Sequence, residues 1–294
     1  MIDWLADRFE EHRSHLRGVA YRMLGSLDDA DDAVQETWLR LSGREPGGIQ
    51  NLGGWLTTVV ARICIDMLRA RSAKREEPLA PNLPDFIVSR EPSPQDLAAT
   101  ADSVGLALLI VLDSLTPAER LAFVLHDMFA MPFEDIAPIA GTSAVAARQL
   151  ASRARRRVHG ATPPQTGFAQ RRAVADAFVA AARDGDFDAL VAVLDPNVLL
   201  RSDRGPAANG VAGAREVAAQ AAAFAKLVAR MEPVVVNGGP GIVSWLPNGA
   251  PLAVMGFVVS GNRIREMYVI SDPDRVHQIL GASSVTSGPP APSS

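Results

Sequence analysis

The stretch Leu115–Val158 constrains the fold more than any other part of the chain, because its pattern is that of a helix-turn-helix whose last helix is basic. The run Thr116–Glu119 supplies the threonine, proline and glutamate of a capping box, which predicts that a helix starts there. Ala137 lets two helices approach closely, and Gly141 accepts the positive φ of a tight turn.

An apolar stripe runs along the last helix of this stretch, for which Thr142 and Ser143 are candidate caps. Residues at i, i+4, i+7 and i+11 form the stripe: Ala147, Ala151, Ala154 and Val158. The polar side chains left on the outer face are Arg148, Gln149, Ser152, Arg153, Arg155 and Arg156. A helix with small residues behind and arginines in front suits the major groove of DNA. The alternative is a solvated basic helix.

The distribution of charge supports a local anion-binding surface. The net charge of −4 over 294 residues argues against a protein that coats nucleic acid indiscriminately. From Gly141 to Arg172, however, there are seven arginines and no acidic residue. Residues 76–119, just before, contain eight acidic residues and one arginine. The basic stretch therefore predicts a footprint for phosphate.

Composition narrows the class of protein. A chain of this length with 48% hydrophobic residues predicts about two domains with real cores. Its lone cysteine, Cys64, excludes an internal disulfide and is expected to be a core residue. His12 and His15 lack further metal ligands, so we expect neither a metal nor a cofactor. The charged N-terminus and the absence of a long apolar run predict a cytoplasmic protein.

Changes in pattern divide the chain into segments. Residues 76–96 hold five prolines and are expected to be extended rather than helical. We predict the following division: helical domain 1–76, acidic proline-rich linker 77–105, helix-turn-helix domain 106–161, C-terminal domain 168–281 and disordered tail 282–294.

The C-terminal domain is predicted to be α+β, because helical patterns are followed by strand patterns. Helices are expected over 168–183, 186–194 and near 213–230. The pattern of strands predicts a curved antiparallel sheet wrapped on helices, with hairpin turns at Asn248-Gly249 and Gly261-Asn262. The predicted strands are Val198–Ser202, Val234–Asn237, Ile242–Leu246, Leu252–Ser260 and Ile264–Ile270.

Three stretches, in order and spacing, resemble the extracytoplasmic-function group of bacterial RNA polymerase sigma factors. Asp28–Leu41 is similar to the family's helix that binds core polymerase, Trp55–Arg69 to its −10 helix, and Leu115–Val158 to its −35 helix-turn-helix. The resemblance implies a multidomain chain with two all-α sigma domains. Core RNA polymerase and promoter DNA are its implied partners, and no membrane is involved.

The resemblance also implies three sets of site residues. The −35 set is Ser143, Arg148, Gln149, Ser152, Arg153, Arg155 and Arg156. In the −10 set, two amides can pair with a flipped base and Asp66 can orient two arginines. The −10 set is Gln50, Asn51, Arg62, Asp66, Arg69, Arg71, Lys74 and Arg75. The polymerase-binding set, an acidic edge beside a tryptophan, is Asp31, Asp32, Gln35, Glu36 and Trp38.

The rest of the chain resembles the SigJ-like sigma subgroup, which carries a SnoaL-like domain with the NTF2-like cone. The family's linker motif is matched imperfectly by Pro81–Asp85, because Asn82 replaces its tryptophan. Pro138 inside the first helix of the helix-turn-helix and Leu150 in the last helix also depart from the family pattern. The implied regulatory motif residues are Leu83, Pro84, Asp85, Asp184, Gly185, Asp186, Asp272, Pro273 and Asp274.

The sequence therefore predicts a sigma subunit that directs core polymerase to promoters, helps to open the −10 region and is modulated by its own C-terminal domain. A second hypothesis is a one-component regulator that senses a ligand and binds an operator without polymerase. A third is a small-molecule enzyme fused to a DNA-binding segment, for which Asp203 is the one well-placed acid. A small-molecule ligand of the C-terminal domain is compatible with each of them.

Overall fold

A computed structural model describes residues 2–43, 49–74, 83–90, 105–161 and 167–281. The chain forms two compact units: residues 1–85 with 108–162, and residues 86–107 with 163–294. The predicted tail 282–294 lies outside the described residues. Within the described residues, no helix has the length and apolar character needed to cross a membrane.

Three long helices begin the first unit: α1 (Ile2–Leu24), α2 (Leu27–Ser42) and α3 (Leu52–Lys74). Ser26 has extended backbone angles and caps α2 by accepting a hydrogen bond from the backbone N–H of Asp29. The helices share an apolar core whose largest fully buried members are Phe9, Leu16, Met23, Leu56 and Ile65. Cys64 is also buried there, as expected, and burial raises the pKa of its thiol to about 12.

The remaining helices of this unit are short. They are α4 (Leu106–Asp113, whose first two residues belong to the second unit), α5 (Pro117–Phe123) with a π-helical extension (Val124–Met128), α6 (Phe133–Ala140) and α7 (Ala144–Ala161). The capping box is confirmed: Thr116 Oγ1 accepts from Glu119 N, and the Glu119 carboxylate accepts from Thr116 N. Gly141 ends α6 with φ of 69°, as the tight turn requires.

Pro138 lies within α6, five residues after its first residue, Phe133. The helix therefore lacks the hydrogen bond that an N–H at Pro138 would donate to the carbonyl of Glu134. Both residues are exposed, so water can reach this carbonyl. The helix accommodates the proline because it is only eight residues long and ends at Gly141.

In the first unit, the group of long helices α1 to α3 packs against the group of shorter helices α4 to α7. Helix α3 contacts both α5 and α6, and α1 contacts the π-helical extension. Arg69 on α3 donates a hydrogen bond of 3.2 Å to the carbonyl oxygen of Ala140 at the end of α6. Arg120 on α5 donates one of 3.1 Å to the carbonyl oxygen of Arg22 on α1. The segments that resemble the −10 and −35 elements are thus in direct contact in this conformation.

The second unit is α+β. Its helices are α8 (Phe168–Asp184), α9 (Phe187–Val193), α10 (Ala214–Ala225) and α11 (Pro273–Gly281). Its strands are β1 (Val88–Ser89), β2 (Leu194–Ser202), β3 (Val211–Ala212), β4 (Arg230–Val236), β5 (Gly239–Trp245), β6 (Pro251–Ser260) and β7 (Arg263–Ile270). They form a seven-stranded sheet in the order β1-β4-β5-β6-β7-β2-β3.

Two departures from the sequence-based prediction concern the direction of a strand and the linker, and the short strand β3 was also not predicted. Strands β4 to β7 form the expected antiparallel meander, but β2 pairs with β7 in the parallel direction. No hairpin joins β2 to β7, so nothing local fixes their relative direction. The second departure is β1, which lies in the segment predicted to be a linker and pairs with β4, Val88 opposite Val236.

Candidate DNA and polymerase interfaces

Helix α7 buries its small residues and exposes its polar ones. The predicted stripe of Ala147, Ala151, Ala154 and Val158 is buried, as its spacing indicated. The Ser143 hydroxyl accepts a hydrogen bond of 3.2 Å from Ala146 N, so Ser143 caps the helix. Leu150 is half-buried, so its side chain is only partly accessible to solvent. Arg148, Gln149, Ser152, Arg153 and Arg156 are exposed on the outer face, and Arg155 is half-buried.

The arginines of the outer face are held by acidic side chains. Arg148 lies 4.0 Å from Glu134, and Arg153 lies 3.7 Å from the nearly buried carboxylate of Glu119. Arg155 pairs with Asp127. Arg148 and Arg153 remain more than half exposed. The Arg148–Glu134 pair is exposed on both sides and contributes only about 0–1 kcal/mol, so a DNA phosphate or base can replace Glu134 at little cost. If Arg153 turns to DNA, Arg157 remains beside the Glu119 carboxylate. The other members of the −35 set, Gln149, Ser152 and Arg156, are exposed.

Val145 is a candidate DNA-contacting residue that the sequence-based prediction missed. It lies in the first turn of α7, and it is 63% exposed, the most exposed of the large hydrophobic residues described. A β-branched apolar side chain in the first turn of a recognition helix suits contact with a thymine methyl group. The signal was present in the sequence, because Val145 falls off the apolar stripe and has no core position to fill.

The −10 set divides into engaged and exposed side chains. Asn51 caps α3, since its side-chain oxygen accepts a hydrogen bond of 3.0 Å from Gly54 N. Its neighbour Gln50 is exposed. Of the two amides predicted to capture a base, Gln50 has no capping role, and the oxygen of Asn51 is engaged at the start of α3.

The basic residues of α3 also divide into side chains engaged within the protein and side chains exposed to solvent. Arg71 donates to Asp29 and to the carbonyl of Leu24, which ties α3 to the turn between α1 and α2. Asp66 pairs with Arg69 at 3.7 Å, while the other predicted partner, Arg62, is exposed. Lys74 ends the helix, and Arg75 lies outside the described residues.

The polymerase-binding set lies on α2. Asp31 pairs with Arg17 of α1 at 2.6 Å, and Glu36 pairs with Arg40 at 3.1 Å. Asp32 and Gln35 are exposed. Trp38 turns inward, with its ring 5.2 Å from that of Phe9, and is only partly accessible. The exposed apolar side chain beside the acidic edge is Leu39, at 54% exposure, which the sequence-based prediction did not single out.

The linker motif packs within the first unit. Leu83 and Pro84 are buried. Asp85 donates its backbone N–H to the carbonyl of Gly25, accepts a hydrogen bond from Leu27 N, and receives the Tyr21 hydroxyl at its carbonyl. This part of the predicted linker is a bonded segment, although Asn82 itself lies outside the described residues.

The two C-terminal motifs are caps. Gly185 ends α8 with φ of 68°, and the Asp186 carboxylate caps α9 by accepting from Ala189 N. Asp272 caps the last helix, accepting from the N–H groups of Asp274 and Arg275. Pro273 follows as the first residue of α11, and Asp184 is exposed at the end of α8.

Asp203 is fully engaged. Its carboxylate accepts from Ser271 N and Oγ and from Asp272 N, and it pairs with Arg275 at 3.4 Å. A carboxylate with this many partners joins the end of β7 to α11 and is poorly placed to act as a general base. In the part of the chain described, no three His, Cys, Asp or Glu side chains lie together as metal ligands would.

Three protein-family models match separate parts of the chain. The Sigma-70 region 2 model matches residues 8–74, the Sigma-70 region 4 model matches residues 106–158, and the SnoaL-like domain model matches residues 175–269. The chain belongs to the extracytoplasmic-function (ECF) RNA polymerase sigma factors and carries a C-terminal SnoaL-like domain. Sigma factors are not enzymes, so the hypothesis of an enzyme built on Asp203 is wrong.

Relatives from Mycobacterium tuberculosis support this assignment. The chain is 34% identical to "Probable ECF RNA polymerase sigma factor SigI" over 277 residues, which cover 92% of this chain and 94% of that protein. It is 41% identical to "ECF RNA polymerase sigma factor SigJ" over 199 residues, 66% of this chain and 64% of that one. The crystal structure of SigJ superimposes with a TM-score of 0.76 at 33% identity, covering 96% of this chain and all of the chain in that structure. The chain therefore acts in promoter recognition by RNA polymerase.

Proposed function

We propose that this sigma factor recognises the −35 element through the outer face of α7, captures the −10 region beside Gln50 and α3, and binds core polymerase through α2. It acts in the cytoplasm, with the polymerase. The observation that carries the proposal is α7 itself, where exposed polar side chains stand over a buried stripe of small residues. Such a helix can present its polar face to the base edges in the major groove while its small residues pack against the rest of the domain.

The contact between α3 and α6 bears on how the protein binds a promoter. Elements named −10 and −35 are about 25 base pairs apart, or about 85 Å of B-form DNA. Helix α3 touches α6, so the two groups of helices cannot span that distance while they stay packed. In our proposal, binding to core polymerase separates them, and promoter recognition by the free protein is weak.

This proposal is tested by measuring binding to a labelled promoter fragment with and without core polymerase, using a fragment with scrambled elements as the control. We expect discrimination between the two fragments only when core polymerase is present. Equal discrimination by the protein alone would support a one-component regulator instead.

Val145 is expected to read a thymine methyl group in the −35 element. We predict that the substitution Val145→Ala weakens promoter binding by the holoenzyme about threefold to tenfold, because it removes a small apolar contact. Replacing one thymine of the element by deoxyuridine, which removes only the methyl group, is expected to cost a similar factor.

The two changes together should cost no more than either alone at the thymine that Val145 contacts. Additive losses at every thymine of the element would contradict the assignment. Leu227→Ala, a change at an equally exposed apolar residue of the second unit, serves as the control.

The SnoaL-like domain is proposed to modulate the sigma domains, in part by binding a small molecule. Two observations support this role. The predicted linker takes part in both units, since Asp85 is bonded within the first and Val88 pairs with β4 of the second. The regulatory motifs in the second unit are caps that stabilise its helices, which suits a domain kept for binding rather than for chemistry.

Removing residues after 165 tests the modulation. Transcription from a promoter that the protein recognises should change by about fivefold or more, which is the effect that ordinary coupling free energies between two sites produce. Binding to core polymerase should persist. The measurement is run-off transcription at matched concentrations of holoenzyme. Unchanged transcription would contradict a regulatory role for the domain.

A further inference from the structure

The second unit contains a partly open cavity of about 230 Å³ between its curved sheet and two helices. Helix α10 faces it with residues at i, i+3, i+4 and i+7, and α8 adds Phe178 and Ala182. The α10 residues are Val217, Gln220, Ala221 and Phe224. The volume is below the roughly 300–1,000 Å³ typical of sites for drug-sized ligands. A smaller molecule than these is therefore the occupant that fits.

Most of the cavity wall is apolar. The sheet contributes three methionines, Met231, Met255 and Met267, together with Ile242 and Val269. Methionine side chains are flexible and polarizable, and they pack well against flat aromatic rings. The wall therefore suits an aromatic or compact aliphatic body rather than a polar one.

One end of the cavity is polar. Ser202 and Ser271 line it with their hydroxyl oxygens 3.5 Å apart. Ser271 Oγ donates to the Asp203 carboxylate, so its lone pairs remain to accept a hydrogen bond. Ser202 Oγ accepts a hydrogen bond from Arg204 N and, because the Ser271 proton goes to Asp203, donates its own proton to Ser271 Oγ over a long 3.5 Å, a bond that a ligand hydroxyl between the two can replace. A ligand hydroxyl, which both donates and accepts, matches this pair.

The formal charges at this end cancel. Asp203 pairs with Arg275 at 3.4 Å, and Arg204 pairs with Asp272 at 3.5 Å. Both carboxylates and both guanidinium groups thus have partners, although Arg204 also lines the cavity and its side chain is 56% exposed. An anionic ligand would have to displace Asp272 from Arg204 to gain a counter-charge for the hydration that it loses.

A buried hydroxyl on the same face of the sheet has no partner. Ser244 is fully buried on β5, one pleat beyond the cavity-lining Ile242, and opposite the cavity-lining Met231 of β4. Its hydroxyl makes no hydrogen bond within the described residues. Ser244 pairs with Ala253 and Ile270 pairs with Val254, so Ser244 lies toward the same end of the sheet as Ser271. Ser244 does not itself line the cavity, so it adds an unpaired buried hydroxyl beside the polar end rather than a ligand contact.

We propose that this cavity binds a small, uncharged alcohol or phenol, with its apolar body against the three methionines and its hydroxyl between Ser202 and Ser271. This inference deepens the proposed ligand-dependent modulation, but the binding step itself does not depend on it. The domain would hold the molecule without transforming it, because the nearby carboxylate, Asp203, is engaged by four hydrogen bonds and ion pairs.

The test uses the full-length protein labelled with ¹³C-methyl methionine, which gives one signal for each of its eight methionines. Three probes share a bicyclic body and differ in their polar group: 2-naphthol, naphthalene and 2-naphthoate. We expect 2-naphthol to shift the methyl signals of Met231, Met255 and Met267 and to leave those of the first unit unchanged. It should bind roughly tenfold more tightly than naphthalene, and 2-naphthoate should bind more weakly than either.

Matched variants locate the site. Ala221→Phe, which fills the cavity from α10, should abolish the shifts, whereas Ala223→Phe on the exposed face of the same helix should preserve them. Ser202→Ala should weaken binding of 2-naphthol about fivefold and leave that of naphthalene unchanged, a split that a merely structural role would not produce.

The outcomes separate this inference from the proposed function. Absent shifts in the three methionine signals, or tighter binding of 2-naphthoate than of 2-naphthol, would overturn the assignment of the cavity. Run-off transcription with and without 2-naphthol is then measured separately. The expected shifts with unchanged transcription would leave the binding site standing and contradict only its role in modulation.

Discussion

Replacing both Arg148 and Arg153 by alanine is expected to lower promoter-directed transcription by about 100-fold. The two side chains stand on the outer face of α7 and are more than half exposed. Each arginine that binds a base or phosphate contributes about 1–3 kcal/mol to the free energy of DNA binding. If each of the two contributes a value in the middle of that range or slightly below, removing both costs about 3 kcal/mol, which corresponds to about 100-fold. The fold should survive, because Arg157 remains within 3.3 Å of the Glu119 carboxylate and the alanine stripe is untouched.

Run-off transcription by the reconstituted holoenzyme measures this effect. The variant Arg263→Ala with Arg265→Ala removes the same charge from exposed positions on β7 and is the control. We expect it to stay within about twofold of the unaltered protein, because distant surface charge changes only long-range attraction. Equal losses in both variants would mean that α7 contributes net charge rather than specific contacts.

The substitution Asp113→Asn is expected to destabilise the first unit by about 3 kcal/mol. The Arg120 side chain is only 3% exposed, and Asp113 is its charged partner at 3.3 Å. Burial lowers the pKa of the Arg120 guanidinium, and the Asp113 carboxylate opposes that shift. Once the carboxylate is replaced by an amide, the buried cation loses its counter-charge and keeps neutral acceptors such as the carbonyl of Arg22.

Hydrogen exchange at the backbone amides of α5 reports on this unit alone, which matters in a protein with two compact units. Asp31→Asn makes the same chemical change at the exposed pair with Arg17 and should cost less than about 1 kcal/mol. Adding Arg120→Met to Asp113→Asn should recover part of the loss, because the unpaired charge is removed. Equal effects of Asp113→Asn and Asp31→Asn would contradict a role for Arg120 in joining α5 to α1.

Local sequence signals predicted those parts of the structure that depend on neighbouring residues. The capping box at Thr116 and Glu119 and the turn at Gly141 each need a few residues in a row, and the structure confirms them. The alanine stripe of α7 was also predictable, since spacing alone decides which face of a helix is buried.

Features that depend on distant partners could not be predicted. Asp29 and Arg71 are 42 residues apart, so nothing local indicates that the arginine is tied within the first unit. Trp38 was expected to face a partner, but Phe9 on α1 draws its ring inward. Val88 joins a sheet through β4, almost 150 residues later in the chain, which its proline-rich surroundings did not indicate.

The engagement of the site residues was the least predictable property. Asn51 has the amide expected of a base-pairing side chain, yet its oxygen caps α3. Asp203 is an acid at the end of a strand, and only the folded chain places Ser271 and Arg275 beside it. Both side chains have chemistry that suits function as well as structure, and only the folded chain shows which of their atoms are engaged.

Run-off transcription with purified core RNA polymerase on pooled genomic promoter fragments, with and without this protein, tests the central claim most directly. We expect new discrete transcripts that depend on the protein and share one −35 and one −10 sequence. Silence despite demonstrated binding to polymerase, relieved by removing residues after 165, would indicate inhibition by the SnoaL-like domain and remain within the account. Silence together with absent binding to core polymerase would contradict it.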